Sequence, residues 1–302
     1  MKKLKDIILI TGANGHLAKV TANLLSKEYQ IRFLTTKKIL TKDPSFFYWN
    51  IDDHYIDQNA LKGCKHIIHL AGYPILKRWT DKNKKQIYNS RILSTNLLFK
   101  NCKLMKVIPE TFICASAIGI YDQSIKSNVN ENSQKGDDWI GKMACEWENS
   151  SNKFKSLGSR VIQMRISLIF SKHAGFLKYA MLSMKFGIGL IIGNRDRIIN
   201  WIHVDDICMF INRCINDNNM AGPYNLSSYN RISQEELIHS IKNHLFPYAI
   251  VIQFPIFLTR LFIGKRVQII NTNLSLDTDK LKNSGFKFKF KTFKELMINT
   301  KN

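Results

Sequence analysis

The chain has 302 residues, 45 of them Lys or Arg and 23 Asp or Glu, for a formal charge of +22, with 45% hydrophobic residues, 15 Gly and 6 Pro. Such a composition excludes a collagen-like chain and a disordered one, and the length suits one large α/β domain with a smaller appendage. The cations invite a polyanion-binding reading, yet 34 of them are Lys scattered from Lys2 to Lys301 in an Asn- and Ile-rich sequence. They are read as a solvated surface, and no nucleic-acid partner is expected.

In chain order, the N-terminal two thirds alternates short β-branched runs with amphipathic stretches, the pattern of a parallel sheet covered by helices. Strands are predicted at Asp6–Ile10, Gln30–Leu34, Phe46–Asn50, His66–Leu70, Thr111–Ala115 and Arg160–Ile166, with helices over Gly15–Lys27, Lys82–Cys102 and Asp137–Leu157. Beyond Ile199 come a helix at Val204–Asn216, a turn at Gly222-Pro223, a helix at Ser233–His244 and a Pro-punctuated segment from Pro247. The alternation from Phe286 to Lys291 reads as an edge strand, Phe inward and Lys outward. The fold class expected is α/β, a Rossmann-type doubly wound parallel sheet over residues 1–220. A smaller C-terminal domain at 247–298 is expected beside it, with some later segments of 1–220 shared with the substrate lobe.

The six cysteines (Cys64, Cys102, Cys114, Cys145, Cys208, Cys214) form no CxxC and have no His at zinc spacing, so free thiols, a reducing compartment and no metal are expected. The basic start, Met1 to Lys5, precedes an apolar run, Ile7 to Ile10, too short for a signal-peptide core. The longest apolar stretch, Phe246 to Gly264, contains Pro247, Gln253, Pro255 and Arg260, which argues against a bilayer span. A cytoplasmic protein without a membrane partner is expected.

The first chemical signal is Thr11-Gly12-Ala13-Asn14-Gly15-His16-Leu17-Ala18, a strand entering a Gly-x-x-Gly-x-x-Ala turn and then a helix. Gly12 allows the tight turn, Gly15 admits a pyrophosphate to the backbone, and Ala18 lets helix and strand pack closely. Asn14, His16 and Leu17 complete the turn. The second strand ends in Thr35-Thr36-Lys37-Lys38 without an acid to hold a ribose diol, so Thr36 and Lys37 favour a 2′-phosphate and NADP over NAD. Asn50 ends the third strand and either contacts adenine or only terminates the strand. Leu70, Ala71 and Gly72 end the fourth, small enough for a cofactor to lie over them. Ser116 ends the fifth, where its hydroxyl either bonds a substrate carbonyl or satisfies a backbone group.

With these motifs in place the chain resembles the short-chain dehydrogenase/reductase superfamily in its extended, sugar-epimerase-like form. More narrowly, it is similar to an atypical epimerase-family subgroup that carries a conserved C-terminal domain of unknown function. The resemblance rests on Thr11-Gly12-x-x-Gly15, Leu70-Ala71-Gly72-x-Pro74, Lys77-Arg78-Trp79-Thr80, Ser90-Arg91 and Ser116-Ala117-Ile118-Gly119-x-Tyr121. It extends through Gly136-Asp137-Asp138-Trp139, Trp147-Glu148, Trp201-Ile202-His203-Val204-Asp205-Asp206, Gly222-Pro223-Tyr224-Asn225 and Gly285-Phe286-x-Phe288.

The superfamily's proton-transferring pair, Tyr-x-x-x-Lys on the helix after the fifth strand, falls here on Trp139 and Met143, neither of which can transfer a proton. Tyr73-x-x-x-Lys77 follows the wrong strand and is read as a chance match. Left for catalysis are Ser116, Tyr121 and His203, with Trp139, Arg165 and Trp201 expected on the substrate side. Asp205 or Asp206 either joins them or serves as a helix N-terminal charge. Arg78 and Arg91 either bind anionic groups or pair with helix carboxylates. Two functions follow. One is an NADP-dependent oxidoreductase or epimerase-like enzyme acting on an unidentified small molecule, and the other is a non-catalytic NADP-binding sensor. A homo-oligomer is compatible with either.

Overall fold

The computed structural model describes residues 5–125 and 127–301, so most of the basic start lies outside the described residues. The chain forms two compact units. The first comprises 1–120, 137–165 and 208–224, and the second 121–136, 166–207 and 225–302. Neither unit is a continuous stretch: segments 121–136 and 166–207, inside the expected 1–220 domain, belong to the second.

The main sheet is built from β1 (Ile7–Thr11), β2 (Gln30–Thr35), β3 (Phe46–Asn50), β4 (Tyr55–Ile56), β5 (Cys64–His69), β6 (Thr111–Ala117), β7 (Arg160–Ile166) and β8 (Gly222–Leu226). The spatial order is β8-β7-β6-β5-β1-β2-β3-β4. β1 pairs in parallel with β2 and with β5, β2 with β3, and β5 with β6, while β4 returns antiparallel on β3. Strands of a parallel sheet are covered on both faces and so read as unbroken apolar runs. Ile8, Leu9 and Ile10 of β1 and Ile67 and Ile68 of β5 are accordingly fully buried. The chain leaves β1 toward β2 and β3, then crosses back to β5, which makes the β1/β5 boundary the topological switch point, where open α/β sheets bind ligands.

The six expected strands are present within two residues of their expected ends. The expected turn at Gly222-Pro223 is instead the start of β8, entered through Gly222 at φ +73°. Helices α1 (His16–Leu25), α2 (Asp81–Tyr88), α3 (Ser94–Leu104), α4 (Trp139–Asn152) and α5 (Val204–Asn216) follow the expected periodicity. One difference matters. The single helix expected over Lys82–Cys102 is two helices joined by a wider π turn at Asn89–Leu93. Its hydroxyls compete with the backbone ladder: Ser90 Oγ donates to the Ile87 carbonyl, Ser94 Oγ to that of Ser90 and Thr95 Oγ1 to that of Arg91.

The second unit has its own core, in which Phe170, Trp201, Leu237 and Met297 are fully buried. Its strands pair in twos: Ile188–Ile192 with Ile250–Phe254, and Leu168–Phe170 with Trp201–His203, both parallel. The expected edge strand at Phe286–Lys291 does not form. The inward alternation is right, since Phe286, Phe288 and Phe290 are all buried, but among the described residues no strand is paired with this segment. Side chains take it instead: the Lys289 N–H donates to Asp206 Oδ1 at 2.5 Å and the Lys291 N–H to Glu295 Oε2 at 2.9 Å.

Candidate functional site

The turn after β1 is shaped by two glycines for different reasons. Gly12 has φ +75°, and a Cβ there would stand 2.7 Å from the Leu70 carbonyl oxygen, so the turn lies directly against the end of β5. Gly15 sits at the N-cap of α1 with no side-chain cap bond, and the first turn of α1 holds no acid. Its N–H donates to Gly12 O at 2.7 Å. Asn14 and Gly15 are exposed, His16 and Leu17 half-buried, and Ala18 is buried against the sheet. The uncapped N-terminus therefore presents backbone N–H groups and partial positive charge at the switch point.

A buried hydrogen-bond chain fixes that turn to the strand beside it. The N–H groups of Leu70 and Ala71 both donate to Thr11 Oγ1 at 3.0 Å. With its lone pairs occupied, Thr11 directs its own proton to His69 Nδ1, 2.8 Å away. The ring proton then belongs on Nε2 and donates to Ser94 Oγ at 3.1 Å, whose proton goes to the Ser90 carbonyl at 2.7 Å. Burial pushes the His69 imidazole down to about 3, which keeps this single tautomer neutral. β1, β5 and the π turn are thereby held in one arrangement around Leu70-Ala71-Gly72. Sequence reasoning missed this chain; its signal was a His inside an otherwise apolar parallel strand.

At the end of β2, Thr36 and Lys37 are exposed while Thr35 is buried and accepts the Lys37 N–H at 3.1 Å. Lys38 lies over the Tyr48 ring at 5.1 Å, which leaves Lys37 as the outward cation of the pair. Asn50 closes its own turn: Nδ2 donates to Asp53 Oδ2 and Oδ1 accepts the Asp52 N–H. Of its two readings, strand termination is the one these bonds describe.

Ser116 is buried at the end of β6, and its Oγ donates to Glu148 Oε1 of α4 at 2.7 Å. The same carboxylate is gripped by Arg165 of β7, with Nε to Oε1 at 2.8 Å and Nη2 to Oε2 at 2.7 Å. Arg165, expected to face substrate, is 3% exposed and paired in the interior. Glu148 occupies a position on the buried face of α4, one turn from Ala144 and beside Trp147; a charge at such a position was the overlooked sign of a buried partner. Trp139 opens α4 half-buried, its ring 5.0 Å from that of Trp79 and 5.3 Å from Lys84 Nζ, and Met143 is buried core. Tyr73 and Lys77 lie in a loop, with the Tyr73 hydroxyl donating to Asn83, so they are not stacked as a helical pair.

The remaining candidates belong to the second unit. Tyr121 is 1% exposed and donates its hydroxyl to Asn225 Oδ1 at 2.6 Å, while Asn225 Nδ2 donates to the carbonyls of Val129 and Asp277. It is a structural tie with its proton already committed. Trp201, expected on the substrate side, is instead fully buried: it stacks on Phe170 and donates its indole N–H to the Asn230 carbonyl. His203 Nδ1 accepts the Asp205 N–H at 3.2 Å, and its ring meets the Phe290 ring at 4.5 Å. Burial pushes Asp206 up to about 6, opposed by the backbone N–H groups of Lys289 and Phe290. Asp206 is thus a strut for the 286–291 segment rather than only a helix-terminal charge. No cluster of three or more metal-ligating side chains occurs, and no helix is long and apolar enough to cross a membrane, among the described residues.

Residues 8–227 match the NAD dependent epimerase/dehydratase family. The chain belongs to that family. The resemblance drawn from the motifs is thereby borne out. The chain is 29% identical to an epimerase family protein of Staphylococcus haemolyticus, over 95% of this chain and 96% of that protein. It is 27% identical to one of Staphylococcus aureus, over 95% and 96%. Among solved structures, the human epimerase family protein SDR39U1 (isoform 2), determined with NADPH, superposes with a TM-score of 0.86 at 18% identity, covering 98% of this chain and 99% of that one. UDP-glucuronic acid 4-epimerase of Bacillus cereus, in complex with UDP-glucuronic acid and NAD, superposes with a TM-score of 0.76 at 14% identity, covering 97% and 96%.

Proposed function

We propose that this chain is an NADP-binding atypical short-chain dehydrogenase/reductase, an oxidoreductase or epimerase-like enzyme acting on a small molecule. The observation that carries the cofactor reading is the uncapped N-terminus of α1 at the switch point, with exposed Thr36 and Lys37 at the end of β2 and no acid beside them. The α1 N–H groups would take the pyrophosphate, Lys37 and Thr36 the 2′-phosphate, and Leu70-Ala71-Gly72 would lie under the ribose–nicotinamide half. The human relative solved with NADPH supports NADP, although other relatives were solved with NAD. The cofactor would supply the hydride. For the proton, His203 is the candidate whose ring is not sealed in the core, its side chain being 13% exposed.

A second reading, a nucleotide-binding sensor without turnover, is favoured by one specific observation. The hydroxyls of Ser116 and Tyr121 both donate to internal partners, and Trp139 and Met143 stand where a Tyr and a Lys would act. Calorimetric titration with NADPH tests the shared part: binding is expected for the unsubstituted chain, and Gly15→Asp should strongly weaken it by bringing bulk and negative charge to the pyrophosphate. Undiminished binding by Gly15→Asp would remove the site assignment. His203→Gln separates the two readings once a carbonyl substrate is found, since general acid catalysis contributes about 10²–10⁴-fold.

A further inference from the structure

The second unit carries an apolar face that is open to solvent. Strands Ile188–Ile192 and Ile250–Phe254 pair in parallel, with Ile188 opposite Ile250 and Leu190 opposite Ile252. Successive side chains of a strand point to opposite faces. Gly189 and Ile191 are buried on the inner one, where a Cβ on Gly189 would meet Met184 and Ile238. Ile188, Leu190, Ile250 and Ile252 make up the other face, and all four are exposed. A sheet that meets water on one side ordinarily sets polar residues there; this pair sets Ile and Leu.

The surface continues at both ends of the pair. Phe186 precedes the first strand and Tyr248 the second, both exposed, and the Tyr248 hydroxyl donates to the Lys185 carbonyl at 3.1 Å. At the other end the helix Ile256–Ile263 begins against the first strand, where a Cβ on Gly193 would stand 3.3 Å from Ile256 Cβ. Of this helix only Thr259 is buried, while Phe257, Leu261 and Phe262 are 65%, 78% and 77% exposed. A helix apolar on nearly every side belongs in a core or in lipid. Aromatic side chains bury about 150–250 Å² each, so Phe186, Tyr248, Phe257 and Phe262 leave on the order of 500 Å² in water. The Ile and Leu side chains take the whole beyond the ~300–600 Å² of the largest patch on an ordinary monomer.

Charge identifies what such a face meets. The chain has no Asp or Glu from 149 to 195 or from 237 to 276, the stretches that build it. Lys178, Lys185, Arg260 and Lys265 are exposed there, and none of them is ion-paired among the described residues. A second copy docked through the same face would bring these cations against one another. Aromatic and aliphatic side chains rimmed by unpaired Lys and Arg instead match the boundary between acyl chains and anionic headgroups.

We propose that this face docks reversibly on an anionic lipid surface, with Phe257, Leu261 and Phe262 entering the acyl boundary and Lys185, Arg260 and Lys265 meeting lipid phosphates. The expectation of no membrane partner rested on the lack of a bilayer span, and surface docking needs none. The proposal stands independently of the nucleotide reading.

The test is flotation with vesicles of phosphatidylcholine alone and of equal parts phosphatidylcholine and phosphatidylglycerol. It is run at about 0.1 M and about 1 M NaCl, where charges are screened over about 10 Å and about 3 Å. The unsubstituted chain should float with the anionic vesicles and not with the neutral ones, and less of it should float at high salt. Phe257→Ser with Leu261→Ser should lower the partition constant about 10–100-fold, because binding scales with buried apolar area. Arg260→Glu with Lys265→Glu should lower it about tenfold or more. These side chains are exposed, so both double variants should keep the unsubstituted urea midpoint. Ile250→Thr with Ile252→Thr, on the sheet face, carries the test if the helix variant does not fold. No association with anionic vesicles would overturn the proposal, and so would undiminished binding by the apolar variants, which would leave diffuse charge as the cause. A dimer in sedimentation equilibrium that Phe257→Ser with Leu261→Ser dissociates, without vesicle binding, would assign the face to a second copy and overturn it as well.

Discussion

Replacing Glu148 by Gln should be among the most damaging single changes in the first unit, and the size of the effect follows from the bonds it breaks. Glu148 accepts two parallel bonds from Arg165 and one from Ser116, all at 2.7–2.8 Å. An amide keeps one oxygen and turns an NH₂ toward a guanidinium that is 3% exposed. The arginine is then left with an uncompensated buried charge, at a cost of about 3–5 kcal/mol. Arg165→Met alone should cost a similar amount, because it strands the carboxylate. Removing both charges together, as Glu148→Leu with Arg165→Met, should recover most of the loss, since the desolvation of the pair disappears with it. Ser116→Ala takes one donor from a carboxylate that keeps both arginine bonds and should cost less, about 1.5–3 kcal/mol. Urea unfolding of these variants, with Glu148→Leu alone added to close the double-mutant cycle against Arg165→Met, measures all of this. If Glu148→Gln costs under about 1 kcal/mol, or if the two charge removals are simply additive, the buried pair is not organised as described.

Two further outcomes are expected. NADP should bind more tightly than NAD, and Lys37→Glu should narrow or invert the preference by about 1.5–3 kcal/mol, through repulsion of the 2′-phosphate; equal affinities in the unsubstituted chain would refute the role of Lys37. His69 is neutral in the fold, its imidazole depressed to about 3 by burial against about 6.5 unfolded, and burial likewise depresses His66 to about 4. Stability from these groups is therefore complete above about pH 6.5 and declines as pH falls below it, by up to about 1.4 kcal/mol per pH unit for His69. Asp206, raised to about 6, contributes with the opposite sign: its part is present below its unfolded value and is lost as pH rises through 6. Urea midpoints at pH 7 and pH 5 should show a loss that His69→Asn reduces, and a midpoint that rises on acidification would contradict the assignment.

The fold was legible because its decisive signals are local. A parallel strand buried on both faces is an apolar run, and Ile7-Ile8-Leu9-Ile10 ahead of Gly12 and Gly15 announces both the strand and the helix that follows. The π turn was not legible, because periodicity continues through it: Ile87, Ile92 and Leu97 stay on the buried side, and only the hydroxyls of Ser90, Ser94 and Thr95 reveal that the ladder is interrupted. The segment Phe286–Lys291 misled for a related reason. Alternation reports which side chains face inward, and that held; it does not report whether a second strand is present to accept the backbone. Here Asp206 and Glu295 accept it, from positions 83 and 4 residues away.

The candidate catalytic residues were harder to read because chemistry depends on where a proton points, and that is decided by partners distant in sequence. Ser116 lies 32 residues from Glu148, and Tyr121 lies 104 from Asn225. In each case the partner is an acceptor, so the hydroxyl gives its proton inward and has only lone pairs left to offer. A serine bonded in this way can accept from a ligand hydroxyl or amide but cannot polarise a carbonyl unless it first surrenders Glu148. Arg165 makes that surrender easier to tolerate, because it holds the carboxylate with two bonds that do not involve Ser116. The cost of freeing the serine is then one charge-assisted hydrogen bond, on the order of 1.5–3 kcal/mol. A ligand carbonyl would have to repay that amount, which favours one that gains negative charge during the reaction over one that is merely bound.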